Sequence, residues 1–301
     1  MSCIVITGAG GLIGNALRTS LEADGVEVLA TDLDSQTEEG RPLTRLDVLD
    51  RAAFCDLLRD RDVAALVHCG GASGPMVRPE DPTYVWNVNT IGTVNALEAV
   101  RLAGVPKLVY CSSTSAFGTT PAGLDLVPED VPLHPSTVYA ASKAAGEQIA
   151  EAYARQFDFS VTSLRFSWVF GPRRTTDCLI RTMITDAMAG RPTTLPYGMG
   201  FHRQYVYIDD VVQGLRAALR DTTIGHRVYT ITGNSYITIE ALADAVRDVY
   251  PEARITVGEG PDPQDEIQAR FDLSRAETDL GYRPGVTLVE GIRAYGAWLA
   301  Q

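Results

Sequence analysis

Short apolar runs punctuate the first 165 residues, with longer stretches of helical period between them. Cys3–Thr7, Glu27–Thr31, Ala65–Cys69, Leu108–Ser112 and Val161–Phe166 have the length and composition of strands. Leu12–Ala23, Pro82–Ala103 and Val138–Phe157 carry apolar positions three and four apart and predict helices. Alternation of this kind predicts an α/β fold, a parallel sheet covered by helices on both faces. Ligands of such sheets bind beyond the carboxyl ends of the strands.

From Gly171 the pattern loosens, and glycine and proline recur between helical stretches at Asp177–Ala189, Asp209–Leu219, Ile239–Tyr250 and Leu288–Leu299. This predicts a smaller α/β lobe over the binding edge of the sheet. Residues 1–170 with about 203–232 are expected to form the sheet domain, and 171–202 with 233–301 the substrate lobe. No long linker separates them, which predicts tight packing.

Composition narrows the partners. The net charge of −12 argues against nucleic acid and against an anionic membrane surface. No apolar run approaches the roughly 20 residues of a membrane span. Met1–Ile6 lacks the charged segment and long apolar stretch of a signal peptide, so a cytoplasmic location is expected. Five cysteines are scattered without a Cys-x-x-Cys pair and read as buried, inert thiols. The four histidines show no metal-ligand spacing, so no metal is expected.

Two motifs carry chemistry. The first strand runs into Gly8-x-x-Gly11-x-x-Gly14 and then a helix opened by Leu12 and Ile13. Glycines let the backbone approach a pyrophosphate, and the helix N-terminus offers free N–H groups and the positive end of its dipole. Asp32 ends the second strand 24 residues after Gly8, followed by Leu33. A carboxylate there accepts hydrogen bonds from ribose hydroxyls and repels a 2′-phosphate; with no basic residue near it in the sequence, NAD is favoured over NADP. Asp47-Val48, after a short third strand, is placed for an adenine contact. The second motif is Tyr139-Ala140-Ala141-Ser142-Lys143, four residues apart on one helix face. Only Lys107 and Lys143 are lysines among 26 basic residues. An ammonium beside a phenol favours phenolate.

Together with Cys69-Gly70-Gly71, Asn89-Thr90-Ile91-Gly92-Thr93, Ser112–Gly118, Leu164-Arg165, Phe170-Gly171-Pro172-Arg173 and Arg203–Asp210, these motifs make the chain resemble the extended short-chain dehydrogenase/reductases, the NAD-dependent epimerase/dehydratase group. The resemblance implies a Rossmann-type doubly wound sheet, bound NAD, and a homodimer on the 82–103 and 138–157 helices. It implies NAD contacts from the glycine loop, Asp32, Cys69, Gly70, Gly71 and Asn89. It implies that Tyr139 is the catalytic base, that Lys143 bonds the nicotinamide ribose and depresses the tyrosine pKa, and that Ser113 holds the substrate oxygen.

The chain departs from its relatives where many clamp a sugar nucleotide's diphosphate. Trp168 stands where they have an asparagine, and the acidic stretch Glu259–Asp265 lies where they have an arginine. A third family arginine is retained as Arg203. These changes favour a free sugar or sugar acid, with Ser73, Ser113, Trp168, Arg173, Arg174 and Arg203 as substrate contacts. An NAD-retaining, UDP-glucose 4-epimerase-like nucleotide-sugar epimerase is the alternative. Dehydration is disfavoured because Thr114-Ser115 replaces the dehydratases' Asp-Glu pair. A non-catalytic NAD-binding module is the remote alternative.

Overall fold

The apolar runs become strands, and the computed structural model describes residues 2–157, 159–223, 225–262 and 265–301. Pro263 and Gln264 of the acidic stretch lie outside the described residues. The strands are β1 (Cys3–Thr7), β2 (Val28–Asp32), β3 (Thr44–Arg45), β4 (Val63–His68), β5 (Lys107–Ser113), β6 (Ser160–Phe166), β7 (Trp168–Phe170), β8 (Thr193–Met199), β9 (His202–Tyr207), β10 (His226–Ile231), β11 (Ser235–Thr238) and β12 (Ile255–Glu259). The helices are α1 (Leu12–Ala23), α2 (Arg51–Leu58), α3 (Pro82–Trp86), α4 (Gly92–Ala103), α5 (Val138–Phe157), α6 (Leu179–Met188), α7 (Ile208–Arg220), α8 (Ile239–Val249), α9 (Ser274–Leu280) and α10 (Leu288–Leu299).

Seven strands pair in parallel in the order β10-β6-β5-β4-β1-β2-β3. The chain moves outward from β1 to β3 and returns to β4 on the other side of β1, which leaves a crevice at the carboxyl ends of β1 and β4. Successive residues of a strand face opposite sides. Ile6, Val67, Val109 and Leu164 pack with Leu17 of α1 and Leu215 of α7. Val5, Leu66, Leu108 and Val161 pack with Phe54 of α2, Leu97 of α4 and Ala150 of α5. Both faces are therefore dry, as a parallel sheet requires.

Beyond the strand ends, β11, β9 and β7 form a small sheet, and β12 pairs with β8. Apolar residues of α6, α8 and α10 join the same cluster as Ile6 and Val67, so one core runs from the sheet into this region. Among the described residues no helix is long and apolar enough to cross a membrane.

Two local features place the site. The run predicted as one helix over 82–103 contains a π-helical turn at Asn87–Ile91 between α3 and α4. That turn buries the Asn89 side chain. In addition, Arg165 on β6 donates to both Glu147 carboxylate oxygens on α5, at 2.9 and 2.6 Å, and Ser112 Oγ donates to the same carboxylate at 2.6 Å. Glu147 lies four residues after Lys143, itself four after Tyr139, so this buried pair sets the rotation of the helix that carries them.

Candidate active site

The glycine loop is built by close approach. Gly8 has φ +66°, in the left-handed region. A Cβ there would lie 2.7 Å from Gly70 N, and one on Gly14 would lie 2.3 Å from Gly8 O. Behind the loop, α1 starts after Gly11 with no side-chain cap and no acid in its first turn. Among the described residues the first-turn N–H groups, those of Leu12 and Ile13 included, therefore have no side-chain partner, an arrangement that suits an anion.

Asp32 is held beside this loop. Its carboxylate accepts from Gly10 N at 2.8 Å and Leu33 N at 2.7 Å. Strand pairing corrects one expectation here: β3 sets Arg45 opposite Asp32, a basic neighbour that the local sequence does not show. Asp32→Ala is accordingly expected to weaken NAD binding by about 10–100-fold, the loss of hydrogen bonds to a charged group. It should also let NADP bind, because the repelling carboxylate is gone and Arg45 remains. Titration with both dinucleotides checks this; unchanged preference for NAD would sink the role of Asp32. Asp47 is exposed and caps its own turn, accepting from Leu49 N at 2.9 Å. Val48 packs closely under Gly70 and Gly92.

The floor of the crevice is the end of β4. Gly70 N donates to Thr7 Oγ1 at 3.1 Å. Gly71 lies against Asn89 and Lys143. The Asn89 amide bonds Ala72 N, Ala72 O and Ser142 Oγ at 2.8–3.1 Å, so it fixes the turn and ties it to α5. Ser73 is exposed, one residue beyond Ala72, which packs on Tyr139. Cys69 and Cys111 are not scattered: their sulfurs meet at 3.3 Å.

Ser113, Tyr139 and Lys143 come together above this floor. Ser113 Oγ donates to Ser115 Oγ at 3.2 Å, accepts from Ser115 N at 3.1 Å, and lies near enough to the Tyr139 phenol to favour phenolate. Burial holds the phenol above the ordinary tyrosine range, and Ser113 and the Arg174 charge work against that shift. Lys143 Nζ donates to Cys111 O at 2.8 Å and lies 6.0 Å from the Tyr139 ring centre. Burial lowers the Lys143 pKa as well. Gln268, which sequence reasoning missed, donates to Thr114 O at 2.9 Å and Gly118 O at 3.1 Å. It thereby clamps the 3-10 turn that follows Ser113. No local pattern around Gln268 signals this role.

β7 presents Trp168. The Arg203 guanidinium lies 4.2 Å over the Trp168 ring and that of Arg174 5.8 Å. Arg203 is buried, and it is already engaged: Nη2 donates to Asp262 at 2.5 Å and Nε to Asp265 at 2.7 Å. Burial raises the Asp265 pKa despite this guanidinium. A cavity of only about 10 Å³ remains among Trp168, Arg203, Gln204, Tyr236 and Asp265. Arg173 does not join them; it pairs with Glu39, beyond β2. Arg174 donates to Val169 O and Asp177 O, and its buried Nε has no partner among the described residues.

Residues 4–231 match the sequence model of the NAD dependent epimerase/dehydratase family. The chain belongs to that family. It is thus one of a family of NAD-dependent enzymes, and its doubly wound parallel sheet with a C-terminal lobe is the fold expected from the motifs. The chain is 30% identical to a UDP-glucose 4-epimerase of Mycolicibacterium smegmatis, over 96% of this chain and 95% of that protein. It is also 30% identical to a dTDP-glucose 4,6-dehydratase of Streptomyces griseus, over 98% and 93%. A solved UDP-glucose 4-epimerase of Thermus thermophilus, in complex with NAD, matches with a TM-score of 0.86 at 29% identity, over 99% and 98% of the two chains.

Proposed function

We propose that this family member is an NAD-dependent oxidoreductase acting on a secondary hydroxyl of a carbohydrate without a nucleotide diphosphate, a free sugar or a sugar acid. The observation that carries the substrate class is the engagement of Arg203 by Asp262 and Asp265. A phosphate brought about 4 Å from either carboxylate would meet on the order of 4 kcal/mol of repulsion at a partly shielded site. Of Arg173, Arg174 and Arg203, Arg174 is the candidate for a substrate anion, because its Nε has no partner among the described residues.

The uncapped start of α1, the Gly8 turn and Asp32 suit a dinucleotide, with its pyrophosphate on the helix and its adenosine ribose at Asp32. NAD, when bound, supplies the hydride acceptor. Tyr139 takes the proton of the substrate hydroxyl, and Ser113 holds the oxygen as it becomes a carbonyl. Lys143, with one N–H fixed on Cys111 O, keeps two donors for the nicotinamide ribose. This intact set argues against a non-catalytic NAD-binding module. We place a homodimer on α3, α4 and α5, where Trp86, Ile91, Leu102 and Phe157 are exposed; a monomer by sedimentation equilibrium would exclude it.

The second reading, an NAD-retaining nucleotide-sugar 4-epimerase, draws on the full-length match to UDP-glucose 4-epimerase. A screen of free sugars, uronic acids and UDP-sugars for NADH formation separates the two. NADH from a free sugar or acid is expected and excludes the epimerase. Tight UDP binding by calorimetry would overturn the argument from Arg203.

A further inference from the structure

Cys69 and Cys111 carry chemistry that hydride transfer does not use. β4 and β5 pair as far as His68 opposite Tyr110, and the residues that follow, Cys69 and Cys111, bring their side chains together. Facing residues on neighbouring parallel strands point to the same side of the sheet, and the strands lie about 4.8 Å apart. That falls within the roughly 4.4–6.8 Å Cα separation a disulfide bridges. The sulfurs are 3.3 Å apart, from residues 42 positions apart in the chain. The pair also sits under the cofactor crevice. Cys69 leads directly into Gly70-Gly71, and the Cys111 carbonyl anchors Lys143 Nζ at 2.8 Å.

We propose that Cys69 and Cys111 form a dithiol–disulfide couple that, oxidised by a peroxide, weakens the cofactor seat. One thiol gives up its proton and attacks an oxygen of hydrogen peroxide as thiolate; the O–O bond breaks, leaving a sulfenic acid and a hydroxide that takes up the released proton as water. The second thiol attacks that sulfur; the S–S bond forms and a second water leaves. The two sulfurs give up two electrons and two protons in all, and the peroxide is reduced to two waters. Closing 3.3 Å to a bond of about 2.05 Å turns both side chains from their thiol rotamers into the dihedral a disulfide demands, and the residues that carry them must readjust. The movement shifts the Gly70-Gly71 turn and the Lys143 anchor together, and displacements of about 1 Å at a site can reduce rates about 100-fold. The thiol–thiol contact and burial hold the Cys69 pKa well above its ordinary value, so Cys69 rests protonated and its oxidation quickens as pH rises.

The test uses the full-length protein and hydrogen peroxide. Thiol titration in denaturant is expected to fall from five to three. Peptide mass spectrometry should join the Cys69 and Cys111 peptides, and the Kd for NAD should rise at least about tenfold. Dithiothreitol should reverse all three changes. Cys111→Ala, compared with its own untreated state, should keep its NAD affinity under peroxide. Five surviving thiols, a cross-link between other cysteines, or a Cys69–Cys111 disulfide with unchanged NAD affinity would each overturn the proposal. These readouts need no substrate. If they succeed while no sugar yields NADH, only the proposed oxidoreductase reading fails.

Discussion

Tyr139→Phe is expected to lower turnover by about 10²–10⁴-fold while leaving NAD affinity within about twofold. On the proposed reading the phenol takes the hydroxyl proton, and general-base catalysis contributes about that factor. The ring itself packs with Ala72 and Val85, so phenylalanine keeps the fold and the cofactor crevice. The pH dependence is a second signature. The base must be ionised to accept a proton, and burial holds the Tyr139 pKa above its ordinary value. Oxidation should therefore rise with pH well past neutrality in the wild type, and this limb should vanish in Tyr139→Phe. Ser113→Ala removes a hydroxyl that favours phenolate, so its limb should move to still higher pH. Steady-state NADH formation against pH checks both; unchanged rates in Tyr139→Phe would refute its role.

Glu147→Leu is expected to destabilise the protein by about 3–5 kcal/mol, because Arg165 is left buried without its counter-charge. Their side chains are 1% and 4% exposed, so water does not compensate. In a chain of this size that loss lowers the melting temperature by roughly 5–10 °C. The double change Glu147→Leu with Arg165→Met removes both charges and should recover most of the loss. Thermal unfolding of the three variants decides it; a double variant no better than the single would show that the pair holds α5 by shape rather than by charge.

The legible parts of this fold were those written locally. Val138–Phe157 forms α5 with the predicted ends, and Leu12–Ala23 forms α1. The glycine loop and Asp32 were legible because close backbone approach leaves a residue signature. The π-helical turn at Asn87–Ile91 was not, since one extra residue in a helix hardly disturbs the apolar period. α2 was missed although Asp50 caps it by accepting from Ala53 N, a signal that lay in the sequence. The remaining gaps are pairings between distant residues. The acidic stretch near 262 was read as hostile to phosphate, but Arg203 was read as free to bind an anion; only the fold joins the two. Likewise Cys69 and Cys111 became neighbours through strand register, and Arg45 reached Asp32 the same way.

The clamp from Gln268 has a consequence for how the enzyme comes into being on the ribosome. The seven-stranded sheet is complete once β10 has emerged, at Ile231. The turn after Ser113 acquires its two side-chain bonds only when Gln268 follows, 37 residues later. Nascent chains can thus hold the finished seven-stranded sheet before the turn after Ser113, the proposed substrate-facing hydroxyl, is locked in place. On the proposed reading, synthesis order itself delays reactivity until the segment around Gln268 has followed the sheet.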